Sequence, residues 1–181
     1  VVDDSSPDGT ANVVKQLNKE YKNIRVILRK EKKGIGAALR QGYNESKGKL
    51  ILSIDADLSF DVKDIKSLYL EINKGYDLVI GSRHLSKKDY EKPNLSTKIK
   101  GYISRYGNTV VRNLSGVNVN DFSGNFRIIR NRVWNNINVT DNTNSMLLEM
   151  ILKTRYKGYK VAEIPVTFKD RRYGKSKLNL T

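Results

Sequence analysis

A chain of 181 residues with 38% hydrophobic content can bury one core and is short for two, so a single domain over 1–181 is predicted. It has no cysteine, which excludes disulfides, thiolate metal sites and cysteine nucleophiles and favours the cytosolic side. No run reaches the roughly 18 apolar residues that span a bilayer and no leader-like segment is present, so a soluble or peripheral domain is expected. The excess of 34 Lys and Arg over 19 Asp and Glu, a net charge of +15, predicts a surface that attracts phosphates, nucleic acid or anionic lipid.

In chain order, Val1-Val2 reads as the end of a strand already under way, so the sequence is expected to begin inside a larger chain. Val13, Val14, Leu17 and Tyr21 follow the Asp8-Gly9 turn at helical spacing, and "IRVILR" (24–29) has strand length and β-branched content. A helix over 36–46, a strand over 50–54, a helix over 62–74 and a strand over 78–82 come next. Then follow a helical stretch from Leu95 to Leu114, a strand at Phe126–Ile129, a helix at Ser145–Tyr156, and "YKVAEIPVTF", whose Pro165 indicates an edge or a bend. Strands alternating with helices predict an α/β fold with a mainly parallel sheet covered on both faces.

The polar clusters fall where those strands end. Asp3-Asp4 follows one, Asp55-Ala56-Asp57 another and Gly81-Ser82-Arg83-His84 a third, and ligands of open α/β sheets bind at that edge. Asp55 and Asp57, two apart on an extended segment, are expected to point to one side and to offer hard oxygen ligands to Mg²⁺ or Mn²⁺. The alternative, a capped turn before a helix, accounts for Asp61 as an N-cap but leaves two repelling carboxylates unexplained. Asp3 and Asp4 suit either a turn or acceptors for a nucleobase or ribose. "GIGAAL" (34–39) has Leu39 where a dinucleotide fingerprint needs glycine, so Gly34 and Gly36 are assigned to close packing at a helix start. His84, the single histidine, excludes His-pair metal sites. The basic run "FKDRRYGKSKL" (168–178) is either a solvated face or a loop that closes Arg171 on a diphosphate.

Together "VVDDSSPDGT", "RKEKKGIGAAL", "SIDADLSF", "IGSRH", "IKGYISRYGN", "DFSGNFRIIR" and "EIPVTFKDRRYGKSKL" resemble, in order and spacing, glycosyltransferase family 2. The resemblance runs from Val1 to Leu178 and is to the polyprenyl-phosphate (dolichol-phosphate) mannose synthases within that family. It implies the GT-A (nucleotide-diphospho-sugar transferase) fold, with the family's preceding strand missing from this sequence, and Asp55 and Asp57 as the metal pair. It further implies Asp3, Asp4 and Arg29 at the nucleotide, with Asp121, Phe126 and Arg127 lining the donor cleft. Arg171, with Lys177 of the same run, would hold the donor diphosphate, and Asp57 and Arg171 would carry catalysis. Arg83, Lys100 and Ser104 would hold the acceptor phosphate. Three positions depart from the family pattern: Ser59 replaces a frequent Gln ligand, Lys100 a more usual Arg, and His84 a common Tyr.

The implied activity is inverting transfer of a hexose, first of all mannose from GDP-mannose, to a polyprenyl phosphate at the cytoplasmic face of a membrane. The basic helix around Thr97–Arg112 would rest there on anionic headgroups. Two alternatives stand beside it. One is a family 2 enzyme using a UDP-sugar or a glycan hydroxyl, with Asp121 as base. The other is a non-catalytic basic module for nucleic acid, a partner that the first reading excludes.

Overall fold

The computed structural model describes residues 1–30, 34–85 and 106–169. In chain order the elements are β1 (Val2–Asp3), α1 (Thr10–Tyr21), β2 (Ile27–Leu28), α2 (Ile35–Asn44), β3 (Leu50–Ser53), α3 (Asp64–Ile72) and β4 (Leu78–Ser82). Helical residues 106–115, here α4, precede β5 (Arg127–Arg130), α5 (Asn131–Ile137), α6 (Met146–Tyr156) and β6 (Val161–Pro165).

The strands form a parallel pair, β1–β2, and a four-stranded sheet in the order β3-β5-β4-β6. β4 and β6 run parallel, while β5 pairs antiparallel with both β3 and β4. The expectation of a mainly parallel sheet therefore holds for strand direction and needs correcting for pairing. β3 and β4 point the same way without touching, because "RIIR", buried over its first three residues, fills the slot between them. Pro165 lies in β6, an edge strand of this sheet, where its missing N–H breaks no ladder.

Alternation along the central strands sends side chains to opposite faces. Leu78, Ile80 and Ile129 join Tyr43, Trp134, Met146, Met150 and Ile151 on the side of α2, α5 and α6. Val79 and Ile128 join Leu68 and Ile72 of α3 with Phe60, Phe126 and Val166 on the other. Both faces are thus covered by helices, and β4 is buried at all five residues, as a central strand between two layers must be.

Helix α2 starts where the glycine reading places it. A Cβ on Gly36 would overlap the Thr143 carbonyl oxygen, and the Ala37 N–H donates to Asn142 O at 3.2 Å. Glycine here allows the backbone of α2 to touch the segment that leads into α6. Strand 24–29 shrinks to Ile27–Leu28, and α5, marked only by Val133, Trp134 and Ile137, was outside the expected elements. Asp61 does not cap α3: its Oδ1 accepts from Lys63 N at 2.9 Å, closing the turn ahead of the helix. Of the expected helix from Leu95 to Leu114, residues 95–105 lie outside the described residues, and 106–114 are helical. Among the described residues no helix is long and apolar enough to cross a membrane.

Candidate active site

Four chain segments meet beyond the carboxyl ends of β3, β4 and β6. Two of the polar clusters lie there.

β3 ends at Ser53, so Asp55 lies two residues beyond it and Asp57 in a turn at 56–57, and the shared-strand argument for two like-pointing carboxylates does not hold. What the structure supplies instead is separate anchoring. Asp55 Oδ1 accepts from Asn125 Nδ2 at 2.9 Å. Asp57 Oδ1 accepts from Ser59 N at 3.1 Å and from the Ser59 hydroxyl at 2.6 Å. Ser59, standing where relatives often carry a further metal ligand, is 2% exposed and serves to hold Asp57. Between them Leu58 has a left-handed φ of 58°, an uncommon state for a branched side chain that keeps the Asp57 turn tight.

The β4 end brings Arg83. Its Nε and Nη2 donate to the two oxygens of Asp121 at 2.7 and 2.8 Å, a bidentate fork, and Nη2 also reaches the Ser123 hydroxyl at 2.8 Å. Asp121 is fully buried. Burial alone would raise its pKa, but the Arg83 hydrogen bonds, the Arg83 charge and the nearby His84 together hold it well below the usual carboxylate range. Glu163 of β6, which sequence reasoning did not single out, accepts from Asn120 N and Asp121 N at 2.9 and 2.8 Å and so fixes the loop that carries Asp121.

Past β6 the chain docks against the Asp57 turn. Phe60 and Phe168 form a β-bridge with ring centroids 5.1 Å apart, Lys169 N donates to Ser59 O at 2.8 Å, and the Arg83 guanidinium lies 5.5 Å from the Phe168 ring. The basic run therefore begins directly beside the aspartates. Arg171 and Lys177 within it, and Lys100 and Ser104, lie outside the described residues.

Asp3, Asp4 and Arg29 form a separate cluster at the end of the β1–β2 pair. Asp3 is buried, and both its oxygens accept from Ser6 N at 3.3 Å, closing a turn. Asp4 pairs with the buried Arg29 at 3.0 Å, as charges in contact, and Arg29 Nη1 reaches Gly34 O at 3.4 Å. A cavity of about 590 Å³ between β2 and α2 is lined by Arg29, Lys30 and Arg40 but by none of the aspartates.

Arg127 requires a correction. Its side chain is fully buried and its guanidinium donates to the carbonyls of Phe122, Gly124 and Leu147, so it shapes the loop of Asp121 and does not line a cleft. Phe126, likewise expected in the cleft, is 0% exposed and packs on Phe60.

Among the described residues no group of three or more His, Asp and Glu side chains gathers as metal ligands. The donor set beyond β3 is thus two half-buried carboxylates, Asp55 held by Asn125 and Asp57 by Ser59. That set fits a hard cation such as Mg²⁺ or Mn²⁺, which takes one or two carboxylates and fills its remaining sites with water and substrate phosphate.

Comparison with known proteins agrees with this architecture. The family described as "Glycosyl transferase family 2" matches residues 1–137. The chain is 32% identical over 181 residues to a dolichol-phosphate mannosyltransferase of Pyrococcus furiosus, covering 98% of this chain and 49% of the relative. It is 29% identical to a polyprenol monophosphomannose synthase of Mycolicibacterium smegmatis, covering 99% of this chain and 69% of the relative. It thus spans between about half and about two thirds of these relatives. Glucosyl-3-phosphoglycerate synthase from Mycobacterium tuberculosis, solved in complex with Mn²⁺ and UDP-glucose, superposes with a TM-score of 0.65 at 14% identity, covering 98% of this chain and 60% of that one. At that identity the likeness concerns the fold alone, which is GT-A.

Proposed function

The chain belongs to glycosyl transferase family 2, and on that premise we propose that it moves a hexose, first of all mannose from GDP-mannose, to a polyprenyl phosphate with inversion at the anomeric carbon. The observation that carries this reading is the placing of Asp55 and Asp57, held by Asn125 and Ser59, next to the point where the chain enters its basic run. The names of the two curated relatives support the donor sugar and the class of acceptor.

Each part of the site then has a task. Asp55 and Asp57 are the residues that would hold Mg²⁺ or Mn²⁺, which when bound supplies positive charge to the donor diphosphate. Arg171 and Lys177 are assigned to the same diphosphate, adding stabilisation as negative charge builds on the leaving group. Asp3, Asp4 and Arg29 are assigned to the nucleotide, and Arg83, Lys100 and Ser104 to the acceptor phosphate.

The acceptor side bears on the choice between the alternatives. A glycan hydroxyl needs a general base, and Asp121 was the candidate. A buried carboxylate held far below its ordinary pKa by a bidentate arginine is a poor proton acceptor near neutral pH. A phosphate monoester, with a second pKa of about 6, is already largely ionised and attacks without a base. The locked Asp121–Arg83 pair therefore favours a phosphate nucleophile, with Asp121 fixing Arg83 in place.

Because such an acceptor is lipid-borne, we place the working site at a membrane surface, on its cytoplasmic face. The test is a transfer assay with GDP- and UDP-sugars against short polyprenyl phosphates and glycans, using the full-length protein. GDP-mannose with a polyprenyl phosphate is expected to give an inverted product in the presence of Mn²⁺ or Mg²⁺. Transfer only to glycan hydroxyls, or a product of retained configuration, would overturn the reading.

A further inference from the structure

Asn125, which anchors Asp55, is itself held in a fixed orientation. The antiparallel register of β3 and β5 pairs Leu50 with Arg130 and Ser53 with Arg127. Two residues beyond the last pair on each side stand Asp55 and Asn125, and Asn125 Nδ2 donates to Asp55 Oδ1 at 2.9 Å.

The other end of the amide is also held. The Ser53 hydroxyl lies 2.8 Å from Asn125 Oδ1 and 2.7 Å from the Asn125 main-chain carbonyl, and the Tyr43 hydroxyl lies 2.7 Å from Ser53 Oγ. Both Asn125 oxygens can only accept, so the single Ser53 proton goes to them and Tyr43 must donate to Ser53. Tyr43 is in turn stacked on Trp134 with centroids 4.6 Å apart, and the Trp134 indole N–H is tied to Asn44 Oδ1 at 2.8 Å. A flipped amide would face its oxygen to the Asp55 carboxylate and its NH₂ group to Ser53, placing acceptor against acceptor beside the carboxylate. Every donor in the series therefore points the same way, from the core through Tyr43, Ser53 and Asn125 to Asp55.

We propose that Asn125 is the positioning residue of the Asp55 carboxylate, with Tyr43 and Ser53 setting the direction of its amide, so that Asp55 meets the cation and nucleotide already oriented. The proposal rests on the reading of Asp55 as a ligand in a glycosyltransferase site. Residues that orient a ligating carboxylate typically change metal affinity about 10–100-fold when removed.

The test uses the full-length protein with Mn²⁺ and GDP, and in parallel UDP, following bound Mn²⁺ by electron paramagnetic resonance alongside the kinetics of GDP-mannose. Asn125→Ala and the isosteric Asn125→Asp are expected to weaken Mn²⁺ uptake and raise KM by about tenfold, with kcat moving less than about threefold. Ser53→Ala is expected to give a smaller loss of the same kind, and the double variant with Asn125→Ala to be no worse than Asn125→Ala alone. Thermal melting checks folding, and Ser53→Ala keeps the test decisive if either Asn125 variant misfolds. Variants matching the unmodified protein in Mn²⁺ uptake and KM, or losing kcat alone, would overturn the positioning role. An unmodified protein that takes up no Mn²⁺ with either nucleotide would instead refute the functional reading on which it rests.

Discussion

Asp57 lies in the turn that follows β3 and Asp121 in the loop that precedes β5, and the surroundings of these two carboxylates differ. Asp57 is half-buried and held by the short side chain of Ser59, whereas Asp121 is sealed behind Arg83. Asp57→Ala is expected to abolish sugar transfer while leaving the melting midpoint nearly unchanged; a protein with that substitution and an unaltered rate would remove the metal pair from the mechanism. Arg83→Met strips the partner from a buried charge, and since Arg83 keeps 21% of its side chain exposed, the cost belongs at the lower end of the range for broken buried pairs, about 3 kcal/mol, read from denaturant midpoints. The pH dependence has a definite sign. The folded pKa of Asp121 lies below its unfolded value of about 4, so the pair contributes its full stability above about pH 4 and loses it as the pH falls further. Asp121→Asn should lack that acid-side loss in denaturant titrations taken at successive pH values.

Elements were legible where periodicity and punctuation agreed. The strands at 50–53 and 78–82 and the helix ending at Tyr156 stand out because apolar runs of the right length end at turn residues. β5 could be seen as a strand, but its direction could not, because pairing depends on a slot between two other strands and not on the residues of "RIIR". The site shows the same divide. Asp55 and Asp57 were conspicuous as acids in a basic chain, while Glu163 and Asn125 act on partners 42 and 70 residues away, and only register brings them together. The start of α2 provides a test at this scale. Gly36→Ala would drive a methyl into the Thr143 carbonyl, backbone that has little freedom to retreat, and a cost of about 1–3 kcal/mol is expected from thermal or denaturant unfolding.

For the whole molecule, a net charge of +15 together with the proposed lipid-borne acceptor leads us to expect a basic surface that gathers anions and rests on headgroups. Each suitably placed cation contributes about 1 kcal/mol of attraction to an anionic bilayer. Full-length protein is therefore expected to float with phosphatidylserine-containing vesicles at low salt, to be released as salt rises, and to ignore neutral vesicles. Flotation that is indifferent to lipid charge would assign the basic surface to another partner.

The left-handed Leu58 carries a consequence for evolvability. Holding an L-residue there costs roughly 1–2 kcal/mol, which glycine would relieve, against about 0.5–1 kcal/mol lost to the greater freedom of its unfolded chain. Leu58→Gly should therefore melt slightly later and turn over more slowly, since the loosened bend no longer aims its neighbour. Robustness and speed would then diverge at one position, an outcome that would mark the bend as kept for turnover at the expense of durability.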